Sequence, residues 1–69
     1  MMRTTLDFGG TPMTVTAESR HWDVEVGGTH HQARYLDVAL EAAFPSARRS
    51  DRDRLQVQLL EWAAGPALT

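Results

Sequence analysis

The chain contains no cysteine. That absence removes disulfides, CxxC redox chemistry and thiolate metal sites together. It fits a cytosolic protein, since structural disulfides belong to oxidising compartments. Lysine is missing too: all seven basic residues are arginine. No apolar run approaches the ~18 residues that span a bilayer. The opening "MMRTTLDF" lacks the apolar core and cleavage site of a secretory signal. A soluble cytoplasmic protein without membrane association is the expectation. Catalytic motifs are absent as well. No Walker loop or GxGxxG is present, and Ser19, Ser46 and Ser50 sit in turn contexts without a GxSxG elbow. One short sheet with two helices leaves little room for a concave site. The expectation is therefore not an enzyme, with no cofactor.

What is there makes one domain. A chain of 69 residues buries only ~60% of its unfolded surface, so its stability is marginal without help. The usual helpers are disulfides, a metal or oligomerisation. With cysteine absent, a partner chain carries most weight. The hydrophobic fraction of 42% is ordinary for a globular domain and argues against disorder. A net charge of −2 argues against general nucleic-acid binding. Charge is uneven along the chain. Residues 1–47 hold three Arg and six acids, for −3, whereas residues 48–69 hold four Arg and three acids, for +1.

The first half alternates and the second half repeats at helical period. "RTTLDF" and "TPMTVTA" flank Gly9-Gly10; "HWDVEV" and "THHQARY" flank Gly27-Gly28. A glycine pair between alternating runs signals a two-residue hairpin, because both central positions need φ > 0. These turns set Phe8 opposite Thr11, Leu6 opposite Met13 and Thr4 opposite Val15. They also set Val26 opposite Thr29, Val24 opposite His31 and Trp22 opposite Ala33. A tight turn at Ser19-Arg20 sets Ala17 opposite Trp22 and Val15 opposite Val24. All three registers place Leu6, Phe8, Met13, Val15, Ala17, Trp22, Val24, Val26 and Ala33 on one face. A one-residue slip would destroy that agreement. The other face carries Arg3, Thr5, Asp7, Thr14, Thr16, His21, Asp23, Glu25, His30, Gln32 and Arg34, and meets water or a polar partner.

"YLDVALEAAF" follows with Leu36, Ala39, Leu40, Ala43 and Phe44 as one stripe, ended by Pro45. Ser50 and Asp53 resemble a capping box. A second helix is expected over about 51–64, stopped by Gly65-Pro66. Leu55, Leu59, Trp62 and Ala63 form its main apolar face. The fold class is α+β in two layers: a four-stranded antiparallel β-meander followed by two α-helices packed on one face. Residues 1–35 form the meander, 36–64 the helices and 65–69 a tail.

Three groups of residues carry possible function. The second helix has a further apolar stripe, Val57, Leu60 and Ala64, turned away from Leu55 and Leu59. A helix covering one sheet needs only one stripe, so the surplus points to a partner surface. "ARRSDRDR" gathers Arg48, Arg49, Arg52 and Arg54 beside Asp51 and Asp53. Arginine suits bidentate contact with an acidic protein surface or with phosphate, so Arg48, Arg49 and Arg52 join the partner-binding candidates. Nucleic-acid or phosphate binding is the alternative function for this cluster. His21, Asp23, Glu25 and His30 share the polar sheet face. Two histidines and two carboxylates could hold a divalent ion, although a flat sheet converges poorly on one point and cross-strand charge pairs are common without function. His30 and His31 are strand neighbours and point to opposite faces. They cannot clasp one metal, and His31 belongs to the core margin. Any chemistry in "VEVGGTHHQAR" would belong to Glu25 and His30 across the strands.

The stretch "HWDVEVGGTHHQARYLDVALEAAF", residues 21–44, resembles the hairpin-then-helix portion of HicB-like antitoxins. In that family an aromatic-led strand meets a strand ending near Gln-Ala-Arg, and a helix with an "LDVAL"-like start follows. The N-terminal hairpin lies outside the family pattern, and no DNA-binding element follows. The resemblance implies a small dimeric protein that masks a partner enzyme. The functional expectation is a non-enzymatic protein-binding or regulatory module, acting through a homodimer or a partner protein.

Overall fold

The computed structural model describes residues 1–65 of the chain. From Pro66 onward, the expected tail lies outside the described residues. The elements are β1 (Met2–Phe8), β2 (Thr11–Ala17), β3 (Trp22–Val26), β4 (Thr29–Ala33), α1 (Leu36–Ala43) and α2 (Arg49–Ala64). The strands form one antiparallel sheet in the order β1-β2-β3-β4. This is the α+β meander with two helices that the alternation implies.

Each register follows from its turn. Gly9 and Gly10 have φ of 60° and 86°, and Gly27 and Gly28 have 59° and 84°. Positive φ at both central positions defines a type I′ turn, whose twist matches the twist of the strands. Phe8 accordingly faces Thr11, and the pairing runs unbroken to Met2 opposite Ala17. Val26 faces Thr29, Val24 faces His31 and Trp22 faces Ala33. Between the hairpins, the Glu18 N–H donates to the His21 carbonyl at 3.0 Å, which sets Ala17 opposite Trp22. Pro12 costs this ladder nothing. Its missing N–H is on the β3 side, where pairing ends at Thr14 opposite Glu25.

The apolar sheet face and the two helices share one core. Met13, Val15, Val24, Leu36, Ala39, Leu40, Leu55 and Leu59 are buried, and Leu6, Phe8, Trp22, Val26, Ala33, Phe44 and Trp62 pack around them. α1 lies across β3 and β4, and α2 lies beside α1. The Phe8 and Phe44 rings meet edge to face at 4.8 Å and tie the first hairpin tip to the end of α1. Such a pair contributes ~0.5–1.5 kcal/mol beyond its buried area. Phe44, held before Pro45, leaves helical geometry at φ −132° and closes α1.

α2 starts earlier than the Ser50–Asp53 pattern implies. Its N-cap is Arg48, at φ −66° and ψ 140°, with no side-chain cap bond. Arg52 provides the physical reason. Its Nη1 donates to the Phe44 carbonyl at 2.9 Å and to the Ala47 carbonyl at 2.7 Å. These charge-assisted bonds fix the connector and the first turn of α2 from inside. At the other end, Gly65 adopts φ 79°, and its N–H donates to the Trp62 carbonyl. No helix among the described residues is long and apolar enough to cross a membrane.

Candidate functional site

A second apolar stripe on α2 is exposed. Leu55 and Leu59 are buried, whereas Val57 is 56% and Leu60 44% exposed. At ~100° per residue, Val57, Leu60 and Ala64 fall on a single line well away from Leu55. Glu61 and Gly65 join them around a shallow concavity. The second stripe is therefore left uncovered by the helix pair and the sheet. Spacing of i, i+3 and i+7 is the pattern of a helix that inserts into a partner's apolar groove.

The arginines do not form one patch. Arg52 is turned inward and holds backbone carbonyls. Nη1 is thus used within the chain, while the half-buried side chain also borders a shallow concavity with Asp37, Glu41, Arg49 and Asp53. Arg49 lies 3.9 Å from Asp53, and both side chains are largely solvated, so that pair contributes little. Arg48 sits at the N-cap, where a cation opposes the helix dipole and Asp51 in the first turn offsets it. Arg54 lies on the opposite flank, near Asp7, Phe8 and Gly9 at the first hairpin tip. Arg48, Arg49 and Arg52 fall within about 100° of one another around the helix, and Arg49 and Arg52 border one concavity together with Asp37, Glu41 and Asp53; Arg54 alone of the four faces another way.

The polar sheet face also rearranges what its register brings near. Glu25 lies opposite His30, yet the two do not pair. The Gly28 N–H donates to Glu25 Oε2 at 2.6 Å, so the carboxylate is used within its own turn. His30 Nδ1 lies 2.9 Å from Asp23 Oδ2, on the diagonal. Diagonal cross-strand neighbours are within reach of longer side chains. His21 turns to Glu18, 3.5 Å away, and lines a cleft of about 550 Å³ with Arg20, Trp22, Arg34 and Tyr35. Among the described residues no group of three or more His, Cys, Asp or Glu converges for a metal ion. The four-residue patch thus separates into three local pairings.

Asp23 is the unexpected member. Although the face is open, it is only 7% exposed. β3 is an interior strand, and the neighbours Thr16 and Gln32 stand directly across from Asp23. Its Oδ1 has no protein partner. Arg3 Nε donates to Thr16 Oγ1 at 3.4 Å, and Thr5 and Thr14 hydroxyls lie 3.3 Å apart. Polar side-chain contacts on this face therefore join β1 to β2 and β3 to β4. Interior position in the sheet was the one sequence signal for burial at Asp23; nothing in the residue pattern singles out its diagonal partner. Val38 on α1 is exposed as well, a further apolar residue that the narrow polar strip of Asp37 and Glu41 does not disclose.

Comparison with protein-family models, with curated proteins and with solved structures yields no match for this chain.

Proposed function

We propose that this chain is a non-enzymatic protein-binding module and that the outer stripe of α2 is its contact surface. The observation that carries this reading is the exposure of Val57, Leu60 and Ala64 in a chain too small to waste apolar surface. Small residues at the C-terminal end, Ala64 and Gly65, allow a partner backbone to approach closely. Arg48 and Arg49 lie at the N-terminal end of the same helix and are open to an acidic rim. An antitoxin-like role, in which the module covers an enzyme, is one form of this function. The lack of cysteine supports a cytoplasmic setting.

The test is affinity capture from the source cell with the unmodified chain and with Val57→Asp and Leu60→Asp. Both positions are open to water, so each variant is expected to unfold within about 0.5 kcal/mol of the parent. A charge in an apolar contact costs about 2 kcal/mol, or roughly 30-fold in affinity. A protein held by the parent chain and released by both variants supports the proposal. An unchanged captured set contradicts it.

A further inference from the structure

We infer that the free edge of β1 is a self-association surface, on which a second copy of this chain pairs antiparallel through its own β1. This surface is separate from the α2 stripe, and either can stand without the other.

The hydrogen-bond phase of the sheet shows which backbone groups are available. In a two-residue hairpin the residues flanking the turn exchange both main-chain bonds. Phe8 and Thr11 flank Gly9-Gly10, so Phe8, Leu6, Thr4 and Met2 turn their N–H and C=O groups toward β2. Arg3, Thr5 and Asp7 turn theirs outward, along the open edge. This edge is seven residues long, has no proline, and pairs continuously without a bulge. Protected edges carry charged side chains, proline or bulges. β1 has neither proline nor bulge, and its two outward charges, Arg3 and Asp7, are of opposite sign.

Its charges instead match themselves. With Thr5 opposite the partner's Thr5, all seven residues pair. Arg3 then faces the partner's Asp7, and Asp7 faces the partner's Arg3. Roughly six main-chain hydrogen bonds result, all from the outward-turned residues. On the other face Met2, exposed in the single chain, meets the partner's Phe8, and Leu6 meets the partner's Thr4. Shifting the register by two residues in either direction loses both charge pairs. Parallel in-register pairing sets Arg3 against Arg3 and Asp7 against Asp7, which is unfavourable. The centre of charge symmetry thus coincides with the centre of the strand. β4, the other edge, offers only His30 and Gln32 outward by the same phase argument and has no such complement.

The test is sedimentation equilibrium over a range of concentrations, with circular dichroism confirming that each variant is folded. The unmodified chain is expected to dimerise. Arg3→Asp and Asp7→Arg each place like charges at both ends of the seam and are expected to weaken the dimer at least about tenfold. The double swap, Arg3→Asp with Asp7→Arg, is expected to restore it. A second measurement needs no variant: amide exchange at Arg3, Thr5 and Asp7 should slow as concentration rises, while exchange at Thr4 and Leu6 stays constant. A monomer at all concentrations, or single swaps that leave the dimer unchanged, would overturn the inference. So would a dimer lost with Leu60→Asp but retained in the single swaps, which would move self-association to α2.

Discussion

At the scale of single residues, backbone conformation and local hydrogen bonds decide most of what the chain does. Gly27 has φ of 59°, and a Cβ built there meets nothing within 4 Å. Any cost of substitution at that position is therefore conformational rather than steric. Gly27→Ala is expected to lower stability by about 1 kcal/mol, because alanine pays for left-handed geometry. Gly27→Asn is expected to cost much less, since asparagine tolerates that region and Asn-Gly favours the type I′ turn. Urea unfolding of the two variants checks this; equal losses would contradict the conformational explanation. The glycine pairs and the alternation make every register readable in the sequence. They did not reveal that His30 pairs with Asp23. Direct opposition points to Glu25, but Glu25 is consumed by the Gly28 N–H in its own turn. A side chain's partner depends on which competitor is nearer, and register alone does not rank competitors.

At the scale of elements, the junction between the helices is set by one side chain. Arg52 belongs to a run that reads as a partner-binding surface, yet it also joins the end of α1 to the start of α2 through two carbonyls. Arg52→Ala is expected to destabilise the fold by about 2 kcal/mol, because two charge-assisted bonds are lost, although the Phe44 carbonyl keeps the Ala47 N–H as a donor. Arg48→Ala, at the exposed N-cap, is expected to change stability by less than about 0.5 kcal/mol. Thermal unfolding of both variants separates the two; similar melting temperatures would show that the Arg52 bonds carry no weight. This contact also explains why the start of α2 was not legible in the residues. The Ser50–Asp53 spacing is a local capping pattern, whereas the start is fixed by a tertiary bond to residues of the preceding connector. The close of α1 was legible, because Pro45 restricts Phe44 whatever surrounds it.

At the scale of the whole molecule, a small core is built from one sheet face and one stripe of each helix. Two features remain that this core does not use: the outer stripe of α2 and the open edge of β1. The stripe was visible in the sequence, since Val57, Leu60 and Ala64 keep helical spacing on the side away from Leu55. The edge was legible too, because the Gly9-Gly10 turn sets the hydrogen-bond phase that turns Arg3, Thr5 and Asp7 outward. One surface suits a groove in another protein and the other suits a second copy, so a dimer would present two copies of the α2 stripe. The central claim, that the α2 stripe is covered when the module works, is tested most directly by carbene footprinting. The purified chain is labelled at low concentration in buffer and again in extract of the source cell. Labelling at Val57 and Leu60 is expected to fall several-fold in the extract, while Val38, exposed on α1, labels equally in both. Unchanged labelling at Val57 and Leu60 would contradict the account.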